Sequence, residues 1–87
     1  MEKFKHTEQT KKVFNTIIEA YSAINSDSDI EQHGLTYDDY KSNDLGLILD
    51  GLRFEGEIET DNERIAKWLK SFNCNVCIIA NGWKVQL

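Results

Sequence analysis

Two stretches of the chain carry apolar residues at the spacing of an amphipathic helix. Within 7–24, the apolar side chains that share one face at a 3.6-residue period are Val13, Phe14, Ile17, Ile18, Tyr21 and Ile24. Within 61–72, those at i, i+3, i+4 and i+7 are Ile65, Trp68, Leu69 and Phe72. Thr7 is the expected N-cap of the first helix, and Thr60 with Glu63 has the capping-box spacing before the second. The pattern predicts helices over 7–24 and 61–72.

Two other stretches alternate apolar and polar residues around a turn signal, which is typical of β-hairpins. In 45–59, Asp50–Gly51 is a favoured two-residue turn. The apolar pairs that this turn creates on one face are Leu49–Leu52, Leu47–Phe54 and Leu45–Gly56. In 74–87, Asn81–Gly82 is the corresponding turn, and its apolar pairs are Ala80–Trp83, Ile78–Val85 and Val76–Leu87. The pattern predicts a hairpin in each stretch.

Residues 25–44 separate the first helix from the first predicted hairpin and show no clear periodicity. They contain two N-cap signals, at Ser28 and Thr36, and Gly34 lies between these signals where it can end a single helical turn. We therefore predict a connector with one or two helical turns. Connectors of about 20 residues are uncommon in compact domains and are often functional.

The predicted elements follow the order α-ββ-α-ββ. A chain of 87 residues with 40% hydrophobic residues supports one core, so we expect a single domain over 1–87. The simplest arrangement is an α+β fold in which a four-stranded, mainly antiparallel sheet carries both helices on its apolar face. The other face of the sheet would then lie in water.

Charge is distributed unevenly along the chain, and this is more informative than the net charge of −5. Residues 26–63 contain twelve acidic and two basic residues, a net charge of −10. Residues 1–25 have a net charge of +1, and residues 64–87 lack acids and have a net charge of +4. Because the acidic middle of the chain repels phosphate, direct nucleic-acid binding is disfavoured there and a basic protein partner is favoured.

Membrane insertion, metal binding and catalysis are all disfavoured by the sequence. No apolar run reaches the roughly 20 residues that span a bilayer, and no apolar signal segment stands at the start, so we expect a cytoplasmic protein without membrane contact. Cys74 and Cys77 have CxxC spacing but enter a strand far from either histidine, so we expect two reduced thiols. No nucleophile motif or glycine-rich phosphate loop is present. We therefore expect no enzyme activity, no metal and no cofactor.

The segment Tyr37-Asp38-Asp39-Tyr40 lies inside the acidic connector and combines two aromatic rings with two carboxylates. Tyrosine is enriched at binding hot spots, and acids around it attract a basic partner. The alternative is that one tyrosine packs inward as an anchor while the acids only keep the connector in water. The predicted partner-binding residues lie in the connector and the first hairpin: Asp27, Asp29, Glu31, Tyr37, Asp38, Asp39, Tyr40, Asp44, Glu55 and Glu57.

These observations favour a small acidic protein-binding module that covers a basic surface of a partner. Such a module would inhibit a nucleic-acid-handling protein by mimicking nucleic acid, as anti-restriction, anti-CRISPR and nuclease-immunity proteins do as a functional class. One alternative is a protein that binds a small anionic ligand or nucleotide derivative, in which Lys67, Lys70 and Lys84 would hold the anion. Another is a structural homo-oligomer joined through unpaired edge strands. The sequence leaves the oligomeric state and the identity of the partner open.

Overall fold

A computed structural model describes residues 4–41 and 44–87, with only the backbone described at Asp44. Within these ranges the chain forms an α+β fold with five helices and a three-stranded antiparallel sheet. In chain order, the elements are α1 (Glu8–Ser22), α2 (Asp27–Gln32), α3 (Tyr37–Lys41), α4 (Asp44–Glu55), β1 (Glu57–Thr60), α5 (Glu63–Lys70), β2 (Asn75–Ile79) and β3 (Gly82–Gln86). The α+β class agrees with the sequence pattern, whereas the four-stranded sheet with two helices is wrong.

The predicted hairpin over 45–59 is the main error. Residues Asp44–Glu55 form the helix α4, and only the end of the predicted hairpin is a strand, β1. The reason is a helical spacing hidden in the leucine pattern: Leu45, Leu49 and Leu52 are buried at i, i+4 and i+7. Leu47, which alternation places on the same face, is 67% exposed. Burial of one helical face therefore overrides the turn signal at Asp50–Gly51.

Asp50 offers a direct test of helix against hairpin. In a helix interior, alanine is favoured over aspartate by about 0.5 kcal/mol, and Asp50 is exposed. We expect Asp50→Ala to raise the free energy of unfolding by about that amount, measured by urea denaturation. Asp50→Asn, which removes the charge but keeps a low helix propensity, should change little. A clear loss of stability in Asp50→Ala would instead support a turn at this position.

The second predicted hairpin forms, with a different turn. β2 and β3 are antiparallel, and the turn residues are Ala80 and Asn81 because Ile79 pairs with Gly82. The predicted turn lay one residue further along, which shifts the pairing register by two residues. Since side chains alternate with a period of two, this shift keeps the predicted faces: Val76 lies opposite Val85, and Ile78 lies opposite Trp83.

β3 lies in the centre of the sheet, with β1 on one side and β2 on the other. Its Val85 is fully buried and pairs with Ile58 of β1 and Val76 of β2. Helix α5 packs against all three strands, and α4 packs against β1. The largest fully buried side chains are Ile17, Leu45, Leu52, Ile65, Leu69 and Val85. The core thus joins α1, α4 and α5 to the sheet.

The two helices predicted from periodicity have well-defined starts. Thr7 caps α1 through a capping box with Thr10, in agreement with the sequence. The cap of α5 is Asn62 instead of Thr60, because the Asn62 side-chain oxygen accepts a hydrogen bond from the Ile65 backbone N–H at 3.2 Å. None of the helices in the described ranges is long and apolar enough to cross a membrane.

Candidate functional site

The acidic connector contains two short helices, of which α2 is the first. Its N-cap is Ser26, whose hydroxyl accepts a hydrogen bond from the Asp29 backbone N–H at 3.3 Å. The cap predicted at Ser28 is therefore two residues too late. The chain leaves α2 at Gly34, whose positive φ of +75° suits a glycine at a helix end. Ile30 is buried and attaches α2 to the core.

Helix α3 is capped at Thr36, as the sequence predicts. The Thr36 hydroxyl accepts a hydrogen bond from the Asp39 N–H at 3.2 Å, and the Asp39 carboxylate accepts one from the Thr36 N–H at 2.9 Å. The Tyr40 ring packs against the Tyr21 ring of α1, with their centroids 5.4 Å apart. A helix of five residues is not stable by itself, so α3 depends on such tertiary contacts.

The strongest of these contacts is made by Asp39, which lies 6% exposed between α3 and α5. Its carboxylate accepts hydrogen bonds from Arg64 Nε at 2.8 Å and Arg64 Nη2 at 3.0 Å, a bidentate ion pair. It accepts another from the Asn62 side-chain amide at 2.8 Å. The Arg64 guanidinium holds the pKa of the Asp39 carboxyl well below its usual range, against the opposing effect of burial. We call Asp39, Arg64 and Asn62 the α3–α5 latch.

Two predicted partner-binding residues are thus structural. Asp39 has its carboxylate occupied within the chain, so its assignment to a partner surface is corrected. Tyr40 is half-buried and serves as the inward anchor. Tyr37, in contrast, is 53% exposed, and the ammonium of Lys41 lies 5.9 Å from the centre of its ring. The structure therefore divides the tyrosine pair into one anchor and one surface residue.

Two more of the predicted acids are engaged within the chain. Asp29 is half-buried and accepts a hydrogen bond from the Asn25 backbone N–H at 3.0 Å. Glu57 forms an ion pair with Lys84 across the β1–β3 pair at 2.9 Å, and this lysine lowers the pKa of the Glu57 carboxyl. Neither carboxylate is as available to a partner as the sequence suggests.

The remaining predicted residues at the ends of α4 are separated from one another. Glu55 is exposed at the C-terminal end of this 12-residue helix, roughly 16 Å along its axis from Asp44. It therefore lies far from the end of α4 that follows α3 in the chain. The side chain of Asp44 lies outside the described part of the structure.

What is left is a smaller surface on α2 and α3, which pack against each other. Asp27 and Glu31 are exposed on α2, and Tyr37 and Asp38 are exposed on α3. We call these four residues the α2–α3 acidic surface. This surface includes residues of the acidic connector but none of the residues of the predicted first hairpin.

Asp27 and Glu31, two of the three carboxylates of α2, repel each other, although Asp27 lies in the first turn, where the helix dipole favours an acid. Asp27 and Glu31 are four residues apart and so lie on the same helical face, where like charges repel. Glu31 is also in the last turn, where the helix dipole disfavours a negative charge and where α2 has no basic residue. Neither side chain forms an ion pair with any residue of the ranges 4–41 and 44–87. Glu31 thus breaks a local rule without a compensating ion pair in these ranges, as residues at functional sites do.

The lysines considered for an anionic ligand are mostly occupied. Lys67 pairs with Glu63 on α5 at 3.0 Å, and Lys84 pairs with Glu57. Lys70 forms no ion pair within the described residues. The geometry therefore supports an anionic-ligand site at these lysines less than the sequence does.

An open groove of about 450 Å³ lies between the N-terminal segment, α1 and α4. Phe14, Ile18 and Leu49 contribute apolar surface to it, and Lys11 and Arg53 contribute positive charge. His6 lines the same groove, and its Nε2 lies 2.8 Å from the Arg53 backbone carbonyl. The sequence pattern does not predict this groove, because it indicates a hairpin over 45–59.

The two cysteines differ in environment. Cys74 is buried, and burial raises the pKa of its thiol to about 11, so it stays protonated near neutral pH. Cys77 is exposed on β2. In the described part of the chain, no three His, Cys, Asp or Glu side chains are placed to hold a metal ion.

The partners of Asp39 were not predicted from the sequence either. Arg64 and Asn62 lie more than twenty residues further along the chain, and nothing local connects them to α3. One signal was available: an acid three residues after an N-cap threonine turns back toward the backbone and not outward. That geometry marks Asp39, and not Asp38, as the acid directed into the fold.

Comparisons with protein-family models, with curated proteins and with solved structures find no match to this chain.

Proposed function

We propose that this protein is a binding module that covers a basic surface of a partner protein in the cytoplasm, through the α2–α3 acidic surface. The observation that carries the proposal is the pair of exposed carboxylates on α2, Asp27 and Glu31, which have no ion pair within 4–41 and 44–87, next to the exposed Tyr37 of α3. An aromatic ring that is surrounded by acids combines contact area with electrostatic attraction for a basic protein.

The latch supports this proposal because it orders the surface before binding. Asp39 and Tyr40 fix α3 to α5 and α1, so Tyr37 and Asp38 are held on a defined backbone. A surface that is already ordered loses little conformational entropy when a partner docks. Short helices with this much anchoring are better suited to recognition than a solvated loop would be.

The charge of the α2–α3 acidic surface indicates what kind of partner fits. Exposed charges mainly accelerate encounter with an oppositely charged surface, and this effect weakens as salt rises. Proteins that handle nucleic acid expose basic surfaces for phosphate, and carboxylates can occupy those positions while repelling nucleic acid itself. We therefore propose a nucleic-acid-handling protein as the partner and its inhibition as the outcome.

The test compares two variants with the same change in net charge. The surface variant carries Asp27→Asn, Glu31→Gln and Asp38→Asn, and the matched control carries Glu19→Gln, Glu55→Gln and Glu59→Gln at exposed sites elsewhere. Each immobilised protein is exposed to lysate from cells that make it, and captured proteins are eluted with a salt gradient. We expect wild type and the control to retain a basic protein that elutes below about 0.5 M salt.

With the captured protein purified, we expect the surface variant to bind it at least tenfold more weakly, mostly through a slower association rate. Tyr37→Ala should weaken binding through a faster dissociation rate. Equal loss in the control variant would show that only net charge matters and would remove the α2–α3 surface from the proposal. A small anionic molecule in native mass spectra, with no basic protein captured, would favour the ligand-binding alternative.

A further inference from the structure

β2 is an edge strand with an unpaired side. The sheet order is β1–β3–β2, so β2 pairs with β3 on one side and with no strand of the described chain on the other. The other edge strand, β1, carries Glu57 and Glu59 and packs against α4. β2 contains only uncharged residues, Asn75–Ile79, and pairs with β3 without a bulge. It therefore lacks the charges, prolines and bulges that protect most edge strands.

The pairing pattern shows which backbone groups of β2 are exposed. The Leu87 N–H donates to the Gly56 carbonyl at 3.0 Å, so the odd-numbered residues of β3 bond toward β1 and the even-numbered ones toward β2. On β2, the residues opposite those even-numbered positions are Asn75, Cys77 and Ile79. The N–H and C=O groups of Val76 and Ile78 therefore point away from the sheet.

The side chains along this edge are apolar as well. Ile78 is 85% exposed, the highest exposure of any large hydrophobic residue in the described chain. Beside it is a shallow hollow of about 230 Å³, to which Ala66, Val76 and Trp83 contribute apolar surface. Ile78 and the apolar residues of the hollow form one contiguous patch, which Glu63, Lys67 and Lys70 border, and such a patch with a polar rim suits an interface.

We infer that β2 pairs antiparallel with β2 of a second copy of this chain, around a two-fold axis at Cys77. In this register Val76 lies opposite Ile78 of the other copy, and these are the two residues whose backbone groups point outward. Each pair exchanges both of its backbone hydrogen bonds, and each exposed Ile78 comes to lie beside the Val76 that lines the other copy's hollow. The arrangement is isologous and closes as a dimer.

Charge favours a second copy as the occupant of this edge. No charged side chain lies on β2, so the symmetric pairing places no like charges opposite each other. Of the lysines near this edge, Lys67 and Lys84 form ion pairs with Glu63 and Glu57, whereas Lys70, which lines the hollow, forms none within the described residues. A charged strand of another protein would meet no opposite charge on β2 itself. A second copy of β2 has the same length and the same apolar character.

Sedimentation equilibrium tests this pairing. Because the contact is small, we expect weak dimerisation, with a dissociation constant of order 100 µM, so the mass should rise from 10.1 kDa toward twice that value as concentration increases. Ile78→Lys should raise the dissociation constant at least tenfold. Leu47→Lys, the same kind of change at an exposed site on α4, should leave it unaltered.

The register is tested by oxidation with copper phenanthroline, which accepts the two electrons that two thiols lose on forming a disulfide. At the two-fold axis, Cys77 faces its own copy in a non-hydrogen-bonded pair with Cα atoms about 4.5 Å apart, within disulfide range. We expect a covalent dimer that is lost in Cys77→Ser. The double variant Cys77→Ser with Ile79→Cys should not cross-link, because its thiols lie on residues about 14 Å apart along the paired strands.

A chain that stays monomeric up to 1 mM would overturn this inference and leave the edge to a strand of another protein. A dimer that resists Ile78→Lys and does not cross-link through Cys77 would also overturn it. Cross-linking in the Cys77→Ser, Ile79→Cys variant would show a different register and contradict the two-fold axis at Cys77. None of these outcomes depends on the α2–α3 acidic surface.

Discussion

Replacing Asp39 with asparagine is expected to lower the free energy of unfolding by about 2 kcal/mol. Asparagine keeps the size of the side chain but loses its charge, and its NH2 group replaces one of the two oxygens that accept the Arg64 hydrogen bonds. The loss is smaller than for a fully buried ion pair because Arg64 is 52% exposed and can return to water. Chemical denaturation at pH 7 measures this difference. Glu31→Gln, an exposed acid without an ion pair in the described chain, is the control and should change stability by less than about 0.5 kcal/mol.

The pH dependence identifies the latch as the cause. Since the pKa of Asp39 is lowered in the folded protein, its ionised form stabilises the fold above the ordinary carboxyl pKa of about 4. This contribution decreases as the pH falls below that value toward the folded pKa. We therefore expect the stability difference between wild type and Asp39→Asn to be constant from pH 7 to 5 and to narrow below pH 4. If the stability difference between wild type and Asp39→Asn stays constant below pH 4, the asparagine acts through packing and not through the lost charge.

The same variant connects the latch to the proposed function. Asp39 lies inside the fold and cannot touch a partner, yet α3 depends on it for its position. We expect Asp39→Asn to weaken partner binding less than the surface variant does, because it acts on binding only by making α3 less ordered. An equal effect of the two variants would indicate that the ordering of α3, and not its charge, governs recognition.

Much of the fold could be predicted where local signals agree with one another. In α1 and α5 the helical stripe, the cap region and the flanking polar residues all indicate a helix, and the structure forms one. In the β2–β3 hairpin the alternation identified the faces correctly even though the turn was misplaced by one residue. An error of that kind preserves the faces because the register moves by two.

For residues Asp44–Glu55, which form α4, the local signals do not decide between a helix and a hairpin. Leu45, Leu47 and Leu49 satisfy alternation, and Leu45, Leu49 and Leu52 satisfy the helical period. Gly51 strengthened the turn interpretation, but in the helix it serves close packing: a Cβ at this position would overlap the Ile58 side chain of β1. That requirement is tertiary and leaves no local signal.

In the candidate site, too, the features set by local sequence could be predicted and those set by distant contacts could not. Segregated charge and the two tyrosines directed the prediction of a site to the connector, because composition is local. Which acids face water was decided by residues distant in sequence: Arg64 turned Asp39 inward, and Lys84 engaged Glu57. Sequence patterns give the amount of charge in a region, whereas the charge available to a partner depends on what the fold has already paired.

The largest loss of stability is expected from Gly82→Ala, about 3–5 kcal/mol. Gly82 begins β3 with a φ of +147°, which an L-residue with a side chain rarely adopts. A Cβ there would also overlap the Thr60 backbone carbonyl and lie 2.9 Å from the Asp61 Cα, and backbone atoms cannot move aside as a flexible side chain can. For a domain of this size, we expect the melting temperature to fall by at least about 12 °C in a calorimetric scan.

Gly34→Ala is the matched control for Gly82→Ala, because it has a positive φ of +75° with no atom within 4 Å of the added Cβ. It should cost only the conformational strain, about 1 kcal/mol, so the difference between the two variants measures the close approach of β3 to the chain after β1. That approach also positions Asn62, whose N–H donates to the Thr60 hydroxyl at 3.1 Å and whose amide donates to Asp39. Gly82→Ala should therefore loosen the latch as well as the sheet, and equal losses in the two variants would contradict the close contact at Thr60.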